Sequence, residues 1–174
     1  MTVNPRLIRR QQDFEKLQNL QRKAGSILQI LQYDQVTLKN ITLRLNLTTP
    51  VDSGYPARFR SSVDILIELP PDYPFHGPNV SFQSAVWNPN VFPSGKLCYG
   101  EWVVTENLEM LVKRIMQIVV LDSRIINTQS PANQDAEKWY SSKMRENSRL
   151  FPTVNIERVL NGADKPAIRW TTIR

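Results

Sequence analysis

Residues 87–102 read WNPNVFPSGKLCYGEW, and the whole chain is understood through how this stretch folds. It holds Cys98, the only cysteine in 174 residues. Pro89, Pro93, Gly95, Gly100, Asn88 and Asn90 exclude a regular helix or a central strand. Yet Trp87, Val91, Phe92, Leu97, Tyr99 and Trp102 give it apolar weight. Ordering a long irregular segment costs entropy that packing must offset, so such segments are usually functional. The stretch therefore reads as a stiff loop that holds Cys98 as a nucleophile, eight residues after Asn90. The blander reading is that Cys98 is a small buried hydrophobe and Asn90 a turn cap.

Composition sets the outer limits. A chain of 174 residues suits one domain with one core. Its 41% hydrophobic content can fill that core, and 22% charged residues are ordinary for a folded chain. No apolar run approaches about 20 residues, so no membrane-spanning helix is expected. The N-terminal MTVNPRLIRRQQDF has no signal-peptide stretch, which suggests a cytoplasmic chain. One cysteine allows no internal disulfide and fits a reducing compartment. With one Cys and one His, the usual zinc site is excluded. The net charge of +6 is dispersed, with local density only at 6–10 and in the last thirty residues. That reads first as a solvated basic surface, then as a face for an acidic protein, and last as a nucleic-acid site.

Asn4-Pro5 is a helix start, and Leu7, Phe14 and Leu17 share one side of a helix to about Lys23. Arg9, Arg10, Gln12, Lys16 and Asn19 are expected to face water. Gly25 ends the helix. Residues 27–33 are ambiguous between strand and helix. Ile41, Leu43, Leu45 and Leu47 alternate with polar residues, as do Phe59, Val63, Ile65, Ile67 and Leu69 across a turn at 48–56. Val80 and Phe82 mark another strand. Short connections imply an antiparallel meander. PPDYPFHGP (70–78) has four prolines in nine residues, is rigid, and offers Tyr73–Pro74 as a cis candidate. His76 within it reads as a surface residue. Leu108, Leu111, Val112, Ile115 and Val119 have helical spacing, so a helix is expected over 107–121 with Thr105 as cap. A further helix is expected over 132–146. The result is an α+β fold: N-terminal helix, four-stranded antiparallel meander, structured loop, and C-terminal helices on one face.

Several motifs in register carry a resemblance. Tyr73-Pro74-Phe75, Pro78, Val80, Phe82, Asn88-Pro89-Asn90, Gly95, Cys98, Trp102 and Ser130-Pro131-Ala132-Asn133 resemble the core signature of the ubiquitin-conjugating enzymes. The resemblance covers about residues 5–147 and implies a catalytic core over 1–147, with an extension over 148–174. It implies that Cys98 accepts ubiquitin or a ubiquitin-like modifier from an activating enzyme as a thioester. The modifier then passes to a lysine or to a ligase. ATP is used by the activating enzyme, and this chain needs no cofactor. Asn90 is implied to donate to the oxyanion or to shape the loop, and Ser130 to stand at the gate beside the thiol. Ser130 has a second reading, as a helix cap. Arg9 and Arg10 match the face offered to the activating enzyme. Phe75, Val103 and Val104 match the two loops gripped by ligases, with core packing as the alternative.

The departures are equally legible. Asn88 stands where most members have His. Tyr99-Gly100 follow the cysteine where Leu and an acidic residue are common, which bears on direct transfer to lysine. Glu101 and Asp122 are the candidate substitutes for that acidic residue, and the sequence does not place either beside the thiol. Two other readings remain open at this level. One is an inactive variant of the same fold that binds ubiquitin-like proteins or scaffolds a partner. The other is an unrelated binding domain with a buried cysteine.

Overall fold

Helix α1 (Pro5–Ala24) begins as its first residues dictate. The Asn4 side chain accepts from the Arg6 N–H, Pro5 occupies the first turn, and Gly25 at φ 57° ends the helix. The computed structural model describes residues 4–151 and 155–160. Phe14, Leu17 and Leu20 of α1 are buried.

The ambiguous stretch is a strand, β1 (Leu28–Tyr33), because it pairs antiparallel with β2 (Asn40–Leu45). β2 pairs with β5 (Val63–Glu68), and β5 with β6 (Asn79–Phe82), giving the sheet order β1-β2-β5-β6. This is the expected meander. The register Ile41↔Ile67, Leu43↔Ile65, Leu45↔Val63 puts every β-branched or Leu side chain of the period-2 pattern on one face. That face closes one apolar cluster with α1 and with α2 (Leu108–Val119).

Three expectations need correction. The turn at 48–56 contains β3 (Thr49–Pro50), paired with β4 (Phe59–Arg60) in a separate two-stranded piece. Phe59 is thus outside the long strand and 51% exposed, because the chain breaks at Ser61-Ser62 before β5 begins. Helix α2 is capped by Asn107, whose side chain accepts from the Met110 N–H at 3.0 Å, and not by Thr105. Arg9 and Arg10 do not simply face water. Arg9 pairs with buried Asp13 and donates to the carbonyls of Val104 and Glu106, while Arg10 donates to those of Thr37 and Pro70. A guanidinium has five N–H groups and can staple several carbonyls from one helix face.

Helix α3 (Gln134–Glu146) starts two residues later than expected, capped by Asn133. Phe151 is buried against Tyr140, Tyr55 and Trp139. The short α4 (Ile156–Leu160) buries Ile156 and Leu160, and Glu157 pairs with Lys113 of α2. So the described part of the 148–174 segment packs on the core. Its residues 152–154 and 161–174 lie outside the described residues. Among the described residues, no helix is long and apolar enough to cross a membrane.

Candidate active site

The Cys98 loop is built outward from β6. Leu97 N–H donates to Val80 O and Phe82 N–H to Gly95 O, so the returning chain extends the sheet for two residues. Gly95 has φ 88°, and a Cβ there would lie 2.9 Å from Phe82 O; only glycine fits this close approach. Val91 and Leu97 are the loop's buried apolar anchors. Cys98 N–H then donates to Asn90 O at 2.8 Å, which fixes the eight-residue step as a closed hydrogen-bonded loop.

Two buried carboxamides hold this loop. Asn88 Nδ2 donates to Ile118 O at the end of α2, and its Oδ1 accepts from Asn90 N–H. Asn88 thus bonds by the same logic as a structural imidazole would: one donor out, one acceptor in. Asn90 is 4% exposed. Its Nδ2 donates to Cys98 O at 3.2 Å and Ile125 O at 3.5 Å, and its Oδ1 accepts from Asn127 N–H at 2.9 Å. The carboxamide therefore joins the Cys98 strand to the 125–127 segment. Its amide is turned to main-chain carbonyls, so the geometry displays the loop-shaping role.

The 122–130 segment forms the opposite wall. It is redirected by Leu121, which follows α2 at φ 58° and is fully buried. Left-handed backbone costs a non-glycine residue about 1–2 kcal/mol, which the burial of the leucine offsets. Beyond it, Arg124 donates through Nε and Nη2 to Asp122, whose side chain is inaccessible. Burial alone would push the Asp122 carboxyl up, but hydrogen bonds from the Arg124 side chain and N–H hold it below the usual carboxylate range. Asn127 ties down Ser130 from both sides: Nδ2 donates to Ser130 O and Oδ1 accepts from Ser130 N–H.

A cleft of about 360 Å³ opens between these walls. Asn90, Cys98, Tyr99, Gly100, Glu101, Arg114, Arg124, Ile125 and Asn127 line it, with Cys98 partly exposed. Of the two carboxylates offered as substitutes for the acidic residue missing after the thiol, Glu101 lines the cleft. Asp122 lies behind Arg124 and does not. Ser130 is exposed but lies outside the lining; Asn127, which carries it, is inside. The cap of α3 is Asn133, so Ser130 is not the helix cap.

The residues after Cys98 are braced from α2 and from the proline-rich loop. Arg114 pairs with buried Glu106 and donates to the carbonyls of Tyr99 and Glu101. Tyr99 OH donates to Pro78 O at 2.7 Å, and burial pushes its pKa up to about 12. Trp102 Nε1 donates to Pro74 O at 2.8 Å, and Tyr73–Pro74 is indeed cis. Gly77 lies beneath both rings, where a Cβ would meet Tyr99 OH at 2.5 Å and Trp102 Cβ at 2.7 Å. Trp102 so joins the two loops that expose Phe75 (69%), Val103 (53%) and Val104 (46%). These three are surface, not core. His76 is exposed and bonded to Asp72.

Sequence reasoning did not find Arg114, Arg124 or Asn127. A lone arginine on the polar side of an amphipathic helix, or within an irregular loop, carries no period. Asn127 sits three residues before Ser130, and only the fold shows that it faces Asn90.

The family model described as "Ubiquitin-conjugating enzyme" matches residues 9–153. Among curated relatives, the ubiquitin-conjugating enzyme E2 of African swine fever virus (isolate Pig/Kenya/KEN-50/1950) is 33% identical over 96 residues, covering 49% of this chain and 44% of that protein. Ubiquitin-conjugating enzyme E2 15 of Schizosaccharomyces pombe is 31% identical over 119 residues, covering 59% and 65%. The chain thus spans about half the length of the viral relative and under two thirds of the yeast one. The solved structure of human ubiquitin-conjugating enzyme E2 G1 superposes at TM-score 0.51 with 19% identity, over 68% of this chain and 98% of that one. At that identity the likeness speaks for the fold.

Proposed function

The chain belongs to the ubiquitin-conjugating enzyme family, and from that premise we propose that it carries ubiquitin or a ubiquitin-like modifier as a thioester on Cys98. One observation supports this above others. The sole cysteine is partly exposed in a cleft whose two walls are joined by a single buried carboxamide, that of Asn90.

The chemistry runs in two acyl transfers. The Cys98 thiolate attacks the modifier's thioester carbonyl on the activating enzyme. A C–S bond to Cys98 forms, and the activating enzyme's thiolate leaves with the electron pair. A lysine amine or a ligase thiol then attacks the new thioester, and Cys98 departs as thiolate. ATP is consumed by the activating enzyme, so this chain supplies only thiol, cleft and docking faces. In this reading Asn90 acts through shape, keeping Cys98 presented, and Ser130 gates the approach of the acceptor from the wall that Asn127 holds. Helix α1 meets the activating enzyme, with Arg9 and Arg10 pinning it to the neighbouring loops. Phe75, Val103 and Val104 give a ligase a small apolar patch, of the size a transient contact uses. The cytoplasm, where a lone thiol stays reduced, suits this work.

The test mixes the chain with an activating enzyme, ubiquitin and ATP. A reductant-sensitive adduct is expected, lost in Cys98→Ala and converted to a stable conjugate in Cys98→Lys. If neither ubiquitin nor any ubiquitin-like modifier with its own activating enzyme gives the adduct, the carrier reading fails.

A further inference from the structure

Residues 99–106 follow the thiol and belong to no helix or strand. Their main-chain carbonyls must therefore find partners elsewhere. Four of them end on two guanidiniums. Arg114 of α2 donates to Tyr99 O at 3.3 Å and to Glu101 O at 3.0 Å. Arg9 of α1 donates to Val104 O at 3.2 Å and to Glu106 O. Arg9 is itself fixed. Its Nε donates to buried Asp13 at 2.8 Å, and its guanidinium lies over the Tyr73 ring, whose OH donates to the same carboxylate.

One side chain joins the two halves of this clamp. Glu106 is buried, and its two carboxylate oxygens bond in different directions. Oε1 pairs with Arg114, and Oε2 accepts from the Val103 N–H at 3.3 Å. Oε2 thereby anchors the exposed turn at Val103 and Val104. Oε1 orients the guanidinium that holds the carbonyl next to Cys98. A buried ion pair stands or falls as a unit, because removing one partner leaves the other charge uncompensated. A shift of the turn that draws Glu106 away thus also frees Tyr99 O and Glu101 O.

We propose that Glu106 and Arg114 are positioning residues for Cys98, coupling the Val103–Val104 turn to the segment that presents the thiol. What the thiol does rests on the carrier reading above; how it is aimed rests on these bonds alone.

The experiment measures alkylation of Cys98 by iodoacetamide in the full chain, where the sole cysteine makes the adduct unambiguous. Glu106→Gln keeps an acceptor for the Val103 N–H but loses the ion pair. Arg114→Gln loses the same pair from the other side. Melting temperature checks that each variant folds, and rates are compared for folded protein. The two changes alter the charge near the thiol in opposite senses, so an effect on thiolate content alone would move the two rates apart. Loss of position moves them together. The partly exposed thiol is freed, and both rates are expected to rise about threefold or more. Val104→Gly loosens the turn without removing a hydrogen-bonding group. It should raise the rate in wild type and add nothing in Glu106→Gln. Rates for both Gln variants within about twofold of wild type overturn the assignment. So do rates that move apart, or a Val104→Gly effect of equal size in both backgrounds. If only one Gln variant folds, the Val104→Gly cycle on that variant decides alone. With the activating enzyme, ubiquitin and ATP, thioester formation should fall in the variants whose alkylation rises. If wild type forms no adduct, the carrier reading fails and the alkylation cycle still decides the coupling. If wild type forms the adduct and alkylation does not move, only the coupling is wrong.

Discussion

In the four-stranded sheet, Ile41, Leu43, Ile65 and Ile67 are each fully buried and meet one another across registered strands. In the Cys98 loop, Val91 and Leu97 are the only fully buried large apolar side chains. The rest is held by directed bonds from Asn88, Asn90, Tyr99 and Trp102. The first region is stabilised by area removed from water, which is non-directional and large. The second is stabilised by bonds of modest net value whose loss leaves buried groups unpaired. The sheet therefore sets how stable the chain is, and the loop sets where the sulfur points.

The largest expected effect tests the sheet. Ile65→Ala should cost about 2–5 kcal/mol in urea unfolding, through lost transfer energy and the cavity left behind. The alkylation rate of Cys98 in the folded fraction should not change. If that rate shifts as well, the two regions are not separable. Asn88→Ala comes next, at about 1–3 kcal/mol, because buried Asn90 N–H loses its acceptor. Here the Cys98 alkylation rate should change, despite the smaller loss of stability. Tyr99→Phe should cost only about 0.5–1.5 kcal/mol by removing the bond to Pro78 O. It should also loosen the segment after Cys98, seen as faster amide exchange at Gly100 and Glu101.

The smallest effect is electrostatic. Asp122 is held below the usual carboxylate range in the fold, so its contribution is present above the unfolded pKa of about 3.9 and lost as pH falls through the folded value. Stability should therefore decline as pH falls from about 5 through the folded value, and Asp122→Asn should decline less over that range. Equal slopes for the two proteins would show that Arg124 does not hold the carboxylate.

Much of this was legible from residues alone. Period-2 alternation gave β2 and β5, helical spacing gave α2, and Asn4-Pro5 with Gly25 gave α1 its ends. The cis bond at Tyr73–Pro74 and the exposure of Phe75, Val103 and Val104 were likewise expected. The misses share a cause. Thr105 and Asn107 are both competent caps two residues apart, and the fold uses Asn107, whose side chain accepts from the Met110 N–H. Arg9 and Arg10 sit on the polar side of a thin stripe, and their carbonyl partners lie 27 to 97 residues away. β3 is two residues long and has no period to detect.

The sequence by itself determined the fold class, the irregular loop and the identity of its thiol, because alternation, proline and glycine act locally on the backbone. Only tertiary structure decided what surrounds the sulfur. Asn90 reaches Asn127 across 37 residues, and Arg124 comes to share a cleft with Cys98 once buried Leu121 turns the chain back from α2. Such contacts depend on how distant segments pack, and no local pattern of residue types encodes them.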